Sequence, residues 1–275
     1  MKTLSSFLRL ALSAATIGAA LISAPALAGP LFTVNEGSVP GTAANLVVAD
    51  RISFEYHARV EQTIVGGLGG GNDPFTQTGF LSKAAFGSPT GGSVPSQLNA
   101  LNGYGIYGLF SITGQSDTLA GGIHATFQTL TMTLYIDPNQ DTSLSVSNVA
   151  GSPVNVGGVS GDDYAIMTYT LDVGEAHIFA GLAQGDFKSL LNATLTPQGQ
   201  LFFVNPDPFF PLESLSGNTN SFVGGSLTDS FIAMADGGGL ELFQVPEPGT
   251  IALLGIGLFG LGMTARRQQG GQRQA

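Results

Sequence analysis

The chain of 275 residues contains no cysteine and no tryptophan, and it has few basic residues. Without cysteine, disulfide bonds, thiol catalysis, zinc–cysteine sites and iron–sulfur clusters are excluded, so the fold relies on an ordinary core or on bound ions. Lys and Arg total 9 against 19 Asp and Glu, which gives a formal net charge of −10. Because nucleic-acid binding needs Lys and Arg at the phosphates, we expect no nucleic-acid partner.

The N-terminal residues have the parts of a secretory signal peptide. Lys2 and Arg9 precede an apolar stretch at positions 10–22. Ala26 and Ala28 are the small residues of a cleavage site. The apolar run is too short to span a bilayer comfortably. We predict a signal peptide over residues 1–28 that signal peptidase removes after Ala28. The alternative is a retained N-terminal membrane anchor.

The C-terminal region combines a stiff extended segment, an apolar run and two arginines. The prolines of the segment at 245–248 fix φ and disfavour helix in the residues before them. Residues 251–265 are apolar apart from glycines and Thr264, and as a helix they rise about 22 Å, short of the ~30 Å hydrocarbon core. The arginines that follow mark a cytoplasmic end. We predict a marginal transmembrane helix that suits a processing substrate; an ordinary tail anchor is the alternative.

A Val-Pro-Glu-Pro motif, a short Gly-rich apolar helix and an Arg-Arg pair in this order resemble the PEP-CTERM sorting domain of Gram-negative bacteria. The resemblance covers residues 245–267. It implies processing by a membrane enzyme, an exosortase, and an association with exopolysaccharide production. The sorting residues that it implies are Val245, Pro246, Glu247, Pro248, Arg266 and Arg267.

Four segments follow from these features. They are a signal peptide over 1–28, an exported β-rich domain over 29–244, the sorting and anchor segment over 245–267 and a cytoplasmic tail over 268–275. The anchor would hold the protein in the inner membrane only until processing. The expected location is the cell envelope, the cell surface or the extracellular matrix.

The exported part has the pattern of an all-β domain. Residues 52–61 alternate strictly between apolar and polar side chains, which indicates a half-buried antiparallel strand. Further short strands at turn-marked spacing predict an antiparallel β-sandwich or jelly-roll-like domain. Among them are 144–149, which we expect to pair back onto the strand before it, and 164–171, 176–180, 231–235 and 240–245. Helices are expected only in the signal peptide and in the C-terminal transmembrane segment. No internal repeat supports a propeller or solenoid.

Catalytic motifs are absent from the sequence. It contains no HExxH helix and no GxSxG elbow, and the GxGxxG match at 103–108 runs through an aromatic strand instead of opening a helix. His57, His124 and His177 lie on separate strands without ligand spacing. We therefore expect no enzyme activity and no cofactor other than possible calcium. A secreted hydrolase is a less favoured alternative, which rests only on the number of acids.

Two weaker patterns suggest a surface module that binds calcium or polysaccharide. Asp137, Asn139 and Asp141 place oxygen ligands at alternate positions, as at the start of a calcium loop, although the glycine and the final acid of that loop are missing. A simple Asp-Pro turn is the alternative. Phe209 and Phe210 lie between prolines and are candidates to stack on sugar rings, with core packing as the alternative.

The exported domain is also similar to the flocculation-associated branch of PEP-CTERM proteins, in stretches between Phe32 and Pro138. The stretches are Phe32-Thr33-Val34-Asn35, Val48 to Ile52 with Glu55-Tyr56, Leu101 to Tyr104 with Tyr107, and Leu134 to Pro138. This resemblance implies cell aggregation within an extracellular polysaccharide matrix and no catalytic residues. The sequence therefore predicts an exported, exosortase-processed structural or adhesion protein that promotes flocculation or biofilm formation, with extracellular polysaccharide as its partner.

Overall fold

The computed structural model describes residues 30–65, 71–88, 94–119, 122–179, 184–219, 221–223 and 231–244. The predicted signal peptide with its cleavage residues Ala26 and Ala28 lies outside these ranges. So does the predicted sorting and anchor segment with Val245, Pro246, Glu247, Pro248, Arg266 and Arg267. Within the described ranges, no helix is both long and apolar enough to cross a membrane.

The described part of the chain consists mainly of β-strands. The strands are β1 (Phe32–Asn35), β2 (Leu46–Ala49), β3 (Arg51–Gln62), β4 (Asp73–Gly87), β5 (Gly105–Leu119), β6 (Gly122–Asp137), β7 (Thr142–Ser145), β8 (Asn155–Gly158), β9 (Tyr164–Phe179), β10 (Gly185–Leu195), β11 (Phe203–Asn205), β12 (Leu212–Thr219), β13 (Ser221–Val223) and β14 (Phe231–Gln244). A 3-10 turn (Glu36–Ser38) and a short α-helix, α1 (Pro197–Phe202), complete them.

Eight strands form a closed antiparallel barrel. They follow the order β12-β10-β9-β6-β5-β4-β3-β14, and β14 pairs back onto β12, with Leu242 opposite Leu215. The all-β prediction is confirmed, but the predicted sandwich or jelly roll is wrong. A sandwich needs two sheets packed face to face, whereas here one sheet curls until its end strands pair.

Bulges explain why the sequence indicated shorter strands. Residues 164–171 and 176–180 were expected as two strands, but β9 runs through both, with a register shift near Leu171 where it pairs with β10. An extra residue shifts the alternation of inward and outward side chains, so one long strand has the pattern of two short ones. Strand β14 joins two expected strands in the same way, with a shift between Asp236 and Gly238.

The barrel interior is filled by alternate residues of the long strands. The inward face that the sequence predicts for β3 is confirmed, since Ile52, Phe54 and Tyr56 are buried. Gly79 lies where a Cβ would come within 2.5 Å of the Phe110 ring and 2.2 Å of a backbone oxygen. The absence of a side chain there lets a large ring fill the interior.

A small sheet and α1 lie against one end of the barrel. The sheet has the order β11-β1-β2, and its Phe32 and Phe203 rings meet edge to face at 6.0 Å. Helix α1 contradicts the prediction that helices occur only at the chain ends. It begins because the Thr196 hydroxyl accepts a hydrogen bond from the Gly199 amide and Pro197 occupies the first turn.

The segment between β6 and β9 forms the hairpin β7–β8 and folds back over β3. The Arg59 guanidinium donates to the Ser147 carbonyl at 3.1 Å, and the Glu61 carboxylate accepts from the Gly151 amide at 2.8 Å. Residues 144–149 were expected to pair back onto β6, but β7 pairs with β8 instead. The segment covers Arg59, which is only 2% exposed although its strand face was expected to be solvated.

Candidate functional site

An uncharged polar band crosses the outer wall of five neighbouring strands. Along β6, alternation sends Leu130 and Met132 into the barrel and Thr131 outward. The strand register then aligns outward residues of β4, β5, β6, β9 and β10 in a row across the sheet. This central row is Thr78, Ser111, Thr131, Thr170 and Asn192.

Two shorter rows flank the central one and share its chemistry. The Thr113 and Thr129 hydroxyls are 2.7 Å apart, while the Thr131 and Thr170 hydroxyls have no partner within the described ranges. Such hydroxyls can donate and accept hydrogen bonds to a bound molecule. We call the three rows the neutral face. The flanking rows are Thr76, Thr113 and Thr129 on one side and Thr133, Thr168 and Thr194 on the other.

A groove of about 400 Å³ lies next to the neutral face. Its wall contains His57 and Phe80, whose rings stack 4.7 Å apart, and Tyr107, which stacks on Tyr135 at 5.1 Å. Tyr135 is half-buried and follows Thr133 on the outward side of β6, so the groove adjoins the neutral face. The groove lining includes Glu55, His57, Phe80, Lys83, Tyr107, Gln140, Thr142 and Leu144.

An ion pair lies at the edge of the groove. The Lys83 ammonium is 2.9 Å from Glu55, and both side chains are well exposed. Lys83 has φ +50 and lies where the pairing of β3 with β4 shifts register. A bulge of this kind re-aims a side chain, and here it brings Lys83 beside Glu55.

The three predicted calcium ligands lie in the turn after β6, where other groups already engage two of them. Asp137 accepts from the backbone amides of Asp141 and Thr142 at 3.3 and 3.0 Å, as in the Asp-Pro turn given as the alternative. The Asn139 amide donates to Asp162 at 2.6 Å. Within the described residues, no group of three or more His, Asp or Glu side chains is placed to hold a metal ion.

Four carboxylates nevertheless gather at this turn. Desolvation raises the pKa of Asp141, and the charges of Asp162, Asp137 and Asp163 raise it further. The Asp163 Oδ2 accepts from the hydroxyls of Tyr107 and Thr142, while its Oδ1 is sealed from solvent without a hydrogen-bond partner. Asp162 and Asp163 are adjacent in the sequence, but their proximity to Asp137 depends on the fold.

Two histidines that are far apart in sequence meet on the outer wall. His124 of β6 lies opposite His177 of β9, and their rings stack with centroids 4.5 Å apart. His124 is 3.7 Å from Glu175, and His177 is 3.3 Å from Asp186. Sequence spacing could not reveal this cluster, because the pairing of β6 with β9 creates it.

Phe209 and Phe210, the candidates for sugar stacking, pack largely against other side chains of the protein. The Phe209 ring lies 4.8 Å from Phe203 and 6.4 Å from Phe32, between centroids. Phe210 lies 5.6 Å from Phe209, and both side chains are half-buried. This loop therefore extends the core at the small sheet, which is the alternative that the sequence left open for these residues.

Comparison with protein families concerns the region after β14. Residues 244–268 match the model of the PEP-CTERM protein-sorting motif. Comparisons with curated proteins and with solved structures find no match to the chain. The match covers Val245 to Arg267, the residues on which the resemblance was based. The chain therefore carries a PEP-CTERM protein-sorting motif, which indicates an exported protein targeted to an exosortase.

Proposed function

We propose that this protein is a non-catalytic structural or adhesion component of an extracellular polysaccharide matrix, in which it promotes cell aggregation as floc or biofilm. The observation that carries the proposal is the neutral face, displayed by a chain with an export and sorting motif. Signal peptidase and exosortase would process its two ends. The apolar segment at 251–265 would anchor it only transiently in the inner membrane, and no resident cofactor is part of the proposal.

The chemistry of the neutral face suits a polysaccharide. Sugar hydroxyls both donate and accept hydrogen bonds, as do Thr and Ser hydroxyls and the Asn amide. Because the rows carry no charge, a neutral polymer can approach them without desolvating ions. Neighbouring strands lie about 4.8 Å apart, so the central row offers a regular array to an extended chain. Weak contacts repeated along a polymer add up through multivalency.

The aromatic edge of the face gives a second type of contact. Tyr135 is half-exposed beside Thr133 and stacks on Tyr107, whose hydroxyl donates to Asp163 at 2.8 Å. This hydrogen bond fixes the orientation of the Tyr107 ring. A fixed aromatic pair beside hydroxyl rows can pack against the apolar side of a sugar ring while its hydroxyls bond to the threonines.

The binding test uses the mature protein purified from the producing cells. In the variant Thr131→Val/Thr170→Val, two hydroxyls are replaced by methyl groups of the same shape. We expect co-sedimentation with the host polysaccharide to weaken about thirtyfold, since the two lost hydrogen bonds are worth about 1 kcal/mol each. Thr63→Val is the matched control, because Thr63 is exposed beyond the end of β3, and strands β4 and β5 separate β3 from Thr131 on β6. Equal binding by the double variant would remove the neutral face from the proposal.

The sorting test uses two deletions. Removal of 245–275 should change where the protein accumulates and abolish cell aggregation, because it removes the matched motif. Removal of 269–275 leaves residues 244–268 intact and should leave both unchanged. Normal flocculation by cells with the longer deletion would show that aggregation does not depend on this protein's sorting.

A second candidate function is calcium binding at the carboxylates after β6. It is favoured by the raised pKa of Asp141, to which the charges of Asp162, Asp137 and Asp163 contribute, because a divalent cation would relieve the repulsion among these carboxylates. Calorimetric titration of the mature protein with calcium should then release heat, and Asp141→Asn should reduce it. The absence of heat and of any change in melting temperature would exclude this candidate.

A further inference from the structure

A partly open cavity at one end of the barrel interior lies apart from the neutral face and the sorting motif. Its volume is about 50 Å³, several times the ~10–15 Å³ that one water molecule needs. It lies where β3 ends and β4 begins, whereas the small β11-β1-β2 sheet adjoins the start of β3. The walls are mostly apolar and include Val60, Phe75, Ile112, Ile123 and Phe127.

Two buried polar side chains line this cavity without a hydrogen-bond partner among the described residues. They are the Gln77 carboxamide and the Tyr56 hydroxyl, in side chains that are 8% and 5% exposed. Among the described residues, the buried polar side-chain atoms that have neither a hydrogen-bond partner nor contact with solvent are Asp163 Oδ1 and Ser189 Oγ. The polar atoms of Gln77 and Tyr56 are not in this group. Both polar groups therefore open onto the cavity.

The lack of partners is unusual within this protein. The other buried tyrosines of the described part each donate to a carboxylate, Tyr104 to Glu36, Tyr107 to Asp163 and Tyr169 to Glu213. The neighbouring Gln62 also uses its amide, which donates to the Ser116 hydroxyl at 2.6 Å. Since leaving a buried polar group unpaired is costly and rare in folded proteins, the two exceptions indicate a group that is bound in the cavity.

The register brings these two groups into the same space. On β4, Gln77 lies between Val60 of β3 and Ile112 of β5. Tyr56 belongs to the same inward face of β3 as Val60, and its ring stacks on Phe110 at 5.5 Å. Burial raises the pKa of Tyr56, so its hydroxyl keeps its proton and can donate. Gln77 can both donate and accept.

We propose that the barrel interior binds a small neutral amphiphile, whose apolar body contacts Ile112 and Ile123 and whose hydroxyl or carbonyl bonds to Gln77 and Tyr56. The mouth of a barrel of eight strands is a common place for one small ligand. Neither Lys nor Arg lines the cavity, and its one carboxylate, Asp186, is 3.3 Å from His177. An anionic ligand would therefore lose hydration without gaining a counter-ion.

The test is a titration of the mature protein with n-butanol, followed through the methyl resonances of the lining isoleucines. We expect saturable shifts of Ile112 and Ile123 and contacts between their methyl protons and those of n-butanol. The anionic analogue n-butyrate should give neither. Absence of saturable shifts, or stable water contacts at these methyls that n-butanol does not displace, would overturn the proposal.

Variants test the polar anchor. Gln77→Leu should weaken n-butanol binding about tenfold, and it should raise the melting temperature of the free protein by removing an unpaired group. Gln115→Leu is the matched control, since Gln115 is exposed on the outside of β5. If Gln77→Leu does not fold, Tyr56→Phe removes the second anchor with little change of shape. Unchanged affinity in whichever of these variants folds would contradict the assignment.

Discussion

Glu36 is fully buried, but hydrogen-bond donors surround its carboxylate. Burial alone would raise its pKa, but hydrogen bonds from Ser96, Asn45, Gln97 and Tyr104 together lower it. Through these bonds one side chain ties the small sheet to the connection before β5. The carboxylate is therefore a structural anchor whose strength depends on pH.

The first prediction is a loss of stability in acid. The pKa of Glu36 in the folded protein is lower than its ordinary value of 4.5. Its contribution to the free energy of unfolding is therefore complete above about pH 4.5. It decreases as the pH falls through the folded pKa, when the carboxylate must take up a proton. Urea unfolding of the mature protein between pH 6 and pH 3 measures this. Glu36→Gln should be less stable at pH 6 by about 2 kcal/mol and should lose less stability in acid. An identical pH profile for the two proteins would contradict this role.

The second prediction concerns the glycine beside the Phe110 ring. In Gly79→Ala the new Cβ would lie 2.2 Å from the His57 carbonyl oxygen, so strand or ring must move. We expect a loss of about 1–3 kcal/mol in urea unfolding. Gly161→Ala is the control, because a Cβ at Gly161 would meet nothing within 4 Å, and it should change stability little. Equal stability of both variants would mean that the interior is looser than described.

At the scale of elements, the segment that carries β7 and β8 depends on few contacts with β3. Arg59 is the centre of these contacts, because its guanidinium also donates to Glu61 at 2.7 Å and to Thr78 at 3.2 Å. The groove next to the neutral face lies between this segment and the barrel wall, since Thr142 and Leu144 line it together with Phe80. The shape of the groove therefore depends on the docking of the segment.

The third prediction is that Arg59→Met releases this segment. The apolar stem is kept, but the bonds to Glu61, Thr78 and the Ser147 carbonyl are lost, at an expected cost of about 1–3 kcal/mol. Hydrogen exchange should accelerate in β7 and β8 while β5 and β6 stay protected. The control is Lys83→Met, which removes an exposed ion pair worth less than about 1 kcal/mol. Unchanged exchange in β7 and β8 would show that other contacts hold the segment.

Local patterns in the sequence were sufficient to predict individual strands but not their pairing. The inward face of β3 could be predicted because period-two alternation depends only on neighbours along the chain. The pairing of Leu215 with Leu242 joins distant segments, and no local pattern encodes it. The burial of Arg59 and the meeting of His124 with His177 depend on the same long-range pairing. The sorting motif was predictable because it is local, and the family model matches it at residues 244–268.

At the scale of the whole molecule, charge and surface chemistry are separated. The formal net charge is −10, but the central row of the neutral face contains no ionisable group. Acidic surfaces elsewhere keep copies of the protein apart, while the uncharged face can contact a polymer without that repulsion. Binding to a neutral polysaccharide through this face should therefore depend little on salt, in contrast to binding through Lys and Arg.

Because the end strands of the barrel sheet pair with each other, this sheet has no long open edge strand within the described residues on which another copy could add a strand. Cohesion between cells would then arise through the polymer and not through amyloid-like stacking. The fourth prediction is that intact flocs fail to bind thioflavin T and disperse when a glycosidase cuts the polysaccharide. Flocs that stain with the dye and survive the digestion would point to strand-mediated fibres instead. A matrix built in this way can be dismantled by the cells that made it, without unfolding a single protein molecule.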